Sequence, residues 1–240
     1  MQDDDFDSSN TLLQDLEWNS DEPVIRWRWV YYTSIVLYGI IIVLSLFQSS
    51  YAVMALFVLL GIWSRIPALA SSFTKDIEIV DILTVSIAIN LGGLTGALYG
   101  SLIILGTKAF GPREYPGYTI KESIGFFLIA LIMPWVYSSL NQNLFYTLNI
   151  FTVLRYTSYM ILTAVLEPGA LALEAALCIP SFCVGLFVNK LTTLFLGDFL
   201  TSTLGTMQMT FGLFFSISIG IGAFFALSKT TLWLTERRFK

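Results

Sequence analysis

Apolar residues along this chain gather in long uninterrupted runs, separated by short polar or glycine- and proline-rich breaks, with little striping at helical spacing. Runs of this kind predict helices that are apolar all round. The first helix is predicted from about Val30 to Phe47, entered through Trp27, Trp29, Tyr31 and Tyr32, whose rings favour the headgroup level of a bilayer. A QSS turn leads to a second helix, Tyr51 to Trp63, which Arg65 and Pro67 end; Ser71 to Asp76 reads as a polar loop. Ile79 to Asn90 and Leu94 to Leu105 are apolar and flank the pair Gly92-Gly93, so residues 77–107 form one long helix or two short ones. Gly111 to Glu122 (GPREYPGYTIKE) reads as a basic, turn-rich loop. Further helices are predicted at Ser123–Tyr137, Leu144–Leu166 and Leu171–Val188. A polar-interrupted segment, Asn189 to Thr206, leads to a last helix at Met207–Leu227.

Composition turns these runs into membrane spans. Of 240 residues, 55% are hydrophobic and 12% charged, with a mean hydropathy of +0.73. A soluble domain carries about a quarter charged residues. A spanning helix needs about 20 apolar residues. The expected fold is therefore an all-α polytopic membrane helix bundle of six or seven transmembrane helices with short loops. Lipid is its principal solvent.

Charge is unevenly placed. Residues 1–22 hold eight acids and no base, whereas the remainder has thirteen bases against nine acids. Residues 1–25 read as an acidic, disordered cytoplasmic tail, 26–228 as the transmembrane domain and 229–240 as a basic cytoplasmic tail. The tail is alternatively a docking segment, since residues 11–18 (TLLQDLEW) suit a short interfacial helix. Arg26, Arg28, Arg65, Lys75, Lys108, Arg113, Lys121 and the last twelve residues carry most of the positive charge, and the turns at 48–50 and 141–143 carry none. By the positive-inside rule the chain is a multi-pass cell-membrane protein with both termini cytoplasmic.

Much chemistry is absent. The chain has no histidine, no GxxxxGK[ST] run and no paired-aspartate signature for magnesium. Histidine-dependent proteases and phosphatases and P-loop nucleotide binding are excluded. The chain reads as a non-enzyme without cofactor, catalytic residues or metal ligands. Its expected partners are the lipid bilayer, other membrane proteins or copies of itself, and a small-molecule ligand, but no nucleic acid. Cys178 and Cys183 lie in one apolar run and read as packing residues.

Ionisable residues inside spans are functional candidates because burying them is costly. At about 100° per residue, Asn149, Thr152, Arg155, Tyr156, Tyr159 and Thr163 share an arc of about 120°. Glu174 heads a second arc with Cys178, Ser181, Gly185, Asn189 and Thr192. Asn149, Thr152, Arg155, Tyr156, Tyr159, Glu174 and Asn189 are the candidate ligand-binding residues. Arg155 either pairs with a carboxylate, Glu174 foremost, or contacts a ligand. Glu174 is otherwise a helix N-terminal charge, and Asp81 a capping or first-turn charge. Gly92, Gly96 and Gly100 form a GxxxGxxxG ridge suited to close helix packing. Ser216, Ser218, Gly220, Gly222 and Ala223 form a similar small-residue surface.

Val80 to Tyr137 runs as an acid, an apolar stretch, a glycine pair, Gly-Ala-x-x-Gly, a turn-rich loop and a glycine-containing helix. This order resembles the substrate-binding S-components of energy-coupling-factor transporters, and the rod-shape membrane proteins of comparable layout. The resemblance puts Asp81 in the place of the acid that opens the second helix, with Gly92, Gly93 and Gly96 as the glycine-rich turn. It implies a small-ligand site on the extracellular side and energy from separate ATPase subunits. The functional expectation is an integral membrane subunit binding a small solute for uptake. Its alternatives are a non-enzymatic scaffold subunit of an envelope or secretion complex, and a channel or permease.

Overall fold

A computed structural model describes residues 22–47, 50–64, 79–108 and 116–206 of the chain. These hold seven α-helices and no strand: α1 Glu22–Leu46, α2 Ser50–Trp63, α3 Val80–Leu91, α4 Gly93–Lys108, α5 Pro116–Ser139, α6 Leu144–Leu166 and α7 Leu171–Thr206. A 3₁₀ turn, Pro168–Ala170, joins α6 to α7. Gly117–Ser139, Leu144–Leu166 and Pro168–Thr201 are long and apolar enough to cross a membrane, and the apolar parts of the other four helices are shorter. Residues 1–21, the predicted last helix and its small-residue surface, and the basic tail at 229–240 lie outside the described residues.

The region around Gly92 resolves into two short helices. Gly92 has φ +99°, a backbone state open to glycine and strained for other residues, and its amide bonds the Ala88 carbonyl at 3.1 Å. The chain reverses there, because Gly96 lies against Ala88 and Gly100 against Thr84. A Cβ on Gly96 would stand 2.5 Å from the Ala88 Cβ and 2.8 Å from its amide nitrogen. The predicted ridge thus lets α3 and α4 pack as an antiparallel hairpin, with Gly92 as its hinge instead of a packing position.

Inside the bundle, α3 is enclosed. Nine consecutive residues, Val80 to Ala88, are buried, as expected of a helix apolar on all sides. Its 12 residues reach only about 18 Å, short of a bilayer core of about 30 Å. The long helices α5, α6 and α7 surround it, each antiparallel to the next. The absent side chain of Gly93 lets α4 meet the Leu131 backbone of α5, and that of Gly125 lets α5 meet Ser158 of α6. Thr152 of α6 lies against Gly185 of α7. Tyr99 ties α4 to α2 by donating to the Phe57 carbonyl at 2.7 Å.

Three boundaries depart from the sequence expectation. Helix α1 begins at Glu22, ahead of Val30, so residues 22–25 of the expected tail are helical. Residues 116–122 of the expected loop open α5, because Pro116 starts the helix where its missing N–H and fixed φ are favourable. The polar-interrupted segment after Val188 is helical throughout, giving a single 36-residue α7. Several of its polar side chains find partners within the helix or on α6, although the Thr193 hydroxyl is buried without one among the described residues. The Asn189 amide reaches Thr152, and the Thr192 and Thr201 hydroxyls donate to carbonyls of their own helix at 2.9 Å.

Candidate functional site

The polar arc of α6 faces inward, where three helices, α3, α5 and α7, bring partners to it. At mid-helix the Arg155 guanidinium, 6% exposed, donates to Asp81 of α3 at 2.9 Å and lies 3.6 Å from Glu122 of α5. The Thr152 hydroxyl donates to the other Asp81 oxygen at 2.9 Å. The Asn189 amide of α7 then donates to Thr152 at 2.8 Å and, more weakly, to the Asn149 carbonyl oxygen at 3.4 Å. Asp81 is therefore held at both carboxylate oxygens, which is how a buried charge is tolerated. The guanidinium is also flanked by rings, 4.7 Å from Tyr156 and 5.1 Å from Phe126. Tyr156 in turn meets Phe182 of α7 edge to face at 5.7 Å.

A second cluster lies toward the end of the bundle where α5 begins and α6 ends. Lys121, 2% exposed, donates to Thr163 and to Glu167, each at 3.2 Å. Its ammonium sits 4.9 Å from the Tyr118 ring and 5.1 Å from the Tyr159 ring. The Tyr159 hydroxyl donates to Glu174 Oε2 at 2.7 Å. Glu174 Oε1 is buried and has no hydrogen-bond partner among the described residues.

All seven candidate residues fall in these two clusters, in a different pairing from the expected one. Arg155 is paired with a carboxylate, but through Asp81 and Glu122. Glu174, the foremost expected partner, binds Tyr159 instead. Asp81 does lie in the first turn of α3, as expected, and its carboxylate also reaches Arg155 and Thr152 of α6. Lys121 and Glu122 were placed in a loop and so were missed; starting α5 at Pro116 is the signal that would have put both on a helix. Lys121 is buried and paired, so it does not count among exposed loop charges. Cys178 is half-buried, whereas Cys183 is exposed, so the expected packing role does not fit Cys183 within the described residues. Among the described residues no three His, Cys, Asp or Glu side chains gather as a metal site would require.

Comparison with protein-family models, with curated proteins and with solved structures finds no match for this chain. The functional reading rests on the site itself.

Proposed function

We propose that the chain is an integral membrane subunit that binds a small solute for uptake, energised by separate subunits. The observation that carries this reading is the Asp81–Arg155–Glu122 cluster with Thr152 and Asn189, assembled at mid-bundle from α3, α5, α6 and α7. Packing alone does not require ionised groups at that depth, where a charge at the helix centre costs roughly 3 kcal/mol even on the lenient insertion scale. Tyr156 and Tyr159 stand half-buried beside the ionic groups. They offer a solute aromatic faces and a hydroxyl next to charge. The S-component resemblance of residues 80–137 points the same way, with Asp81 at its opening acid.

A scaffold subunit is the second reading. What favours it is that both Asp81 oxygens already have donors within the chain, so the pair can serve to lock α3 to α6. Native mass spectrometry of the purified full-length protein separates the two. Solute binding predicts a small molecule released on unfolding, and its loss in a folded Tyr156→Ala variant. Protein partners without ATPase subunits, and no small molecule in either form, support the scaffold and contradict uptake.

A further inference from the structure

The bundle interior is unbalanced in charge. Its two clusters set three buried or partly buried carboxylates, Asp81, Glu122 and Glu174, and the 46% exposed Glu167 against two bases, Lys121 and Arg155. Arg155 is shared between Asp81 and Glu122, and Lys121 is taken by Glu167. Glu174 is left without an ion pair among the described residues, although it is only 5% exposed. One of its oxygens accepts from Tyr159, and the other is enclosed with no donor among the described residues. An enclosed carboxylate with neither counter-charge nor full hydrogen bonding is among the most costly groups a fold can bury.

We propose that Glu174, with Tyr159, forms a site at which the protein takes up one monovalent cation, a proton or an alkali-metal ion, between α6 and α7. The position of Glu174 in the first turn of α7 does not remove the need, because a helix N-terminus supplies only about half a positive charge. The surrounding groups do not supply the rest. Tyr159 of α6 and Tyr118 of α5 are neutral donors or ring faces, and Cys178 follows one turn along α7. Glu167 at the end of α6 adds negative charge. Lys121 of α5 directs its ammonium to Thr163, Glu167 and the two tyrosine rings. The enclosed Oε1 is the atom that a single small cation would occupy. The site shares Tyr159 with the proposed solute site, but its test uses no solute and does not depend on that reading.

The test takes the full-length protein in lipid nanodiscs with choline as the only bulk cation. Infrared difference spectra between neutral and alkaline pH, a range in which ordinary carboxylates are already ionised, report a carboxylic acid still protonated at neutral pH, and sodium or potassium is then added at alkaline pH while the melting temperature is followed. The proposal expects a carboxylic-acid band that is lost on raising pH, or a melting temperature that rises with an alkali ion. Glu174→Gln, which keeps an acceptor for Tyr159, should abolish whichever effect is seen. The first outcome assigns a proton and the second an alkali ion. Identical spectra and identical salt responses in wild type and Glu174→Gln overturn the proposal. Should that variant fail to fold, Tyr159→Phe keeps the carboxylate and removes its donor. It must shift the pH or ion concentration of the transition, and an unchanged midpoint overturns the proposal as well.

Discussion

Arg155 and Asp81 lie 74 residues apart in the chain and meet at 2.9 Å in the middle of the bundle. That one contact joins the central α3–α4 hairpin to α6. It also explains how an arginine is tolerated on a helix long and apolar enough to cross a membrane. The guanidinium has a carboxylate in direct contact, a second within 4 Å and an aromatic ring on either side.

The hairpin depends on a missing side chain. In Gly96→Ala the new Cβ would meet Ala88 backbone atoms at 2.7 and 2.8 Å, and backbone cannot swing aside as a side-chain tip can. The variant should lose about 1–3 kcal/mol, the usual cost of overpacking. Gly106→Ala, with nothing within 4 Å of its Cβ, should be close to neutral. Thermal or denaturant unfolding in one detergent compares the two directly, and equal stability of both variants would contradict the hairpin packing.

Lys121 provides a contrast with Arg155. Its partner Glu167 is 46% exposed, so Lys121→Met leaves a carboxylate that water or headgroups can reach. The loss should be about 1 kcal/mol, close to that of an exposed pair. Arg155→Met leaves buried Asp81 without its base and should cost about 3–5 kcal/mol. Unfolding of the two variants side by side checks the order.

Asn189 supplies a neutral interhelical hydrogen bond between α6 and α7. Asn189→Leu removes its donation to Thr152 and should destabilise by roughly 0.6–1.7 kcal/mol, the range of such bonds in membrane bundles. In a Thr152→Val background the same substitution should cost less, and an undiminished effect would mean that the bond contributes nothing.

The helices themselves were legible in the sequence because apolar runs and their breaks are local signals. Tyr51–Trp63 and Leu144–Leu166 match α2 and α6 to within a residue. Gly92-Gly93 marked an interruption for the same reason, but the sequence left open whether it divides one helix into two. What the sequence did not reveal was pairing. The arc on α6 correctly marked Asn149, Thr152, Arg155 and Tyr159 as inward-facing, but periodicity on one helix does not say which other helix lies opposite. Glu174 was favoured for Arg155 because it is near in sequence, whereas the hairpin fold brings in Asp81 from far upstream. The polar stretch after Val188 was read as a break because its satisfaction depends on Thr152 and on its own carbonyls, neither of which composition reports.

The measurement closest to the centre of this account is a double-mutant cycle between Asp81→Asn and Arg155→Met, with unfolding followed in a single detergent. Direct pairing predicts that the double variant loses less than the sum of the singles, by roughly 1–3 kcal/mol. Adding Glu174→Gln to Arg155→Met should give simple additivity, since Glu174 bonds Tyr159 and not Arg155. Additivity between Asp81 and Arg155, or coupling of Arg155 to Glu174 in its place, would contradict the arrangement described.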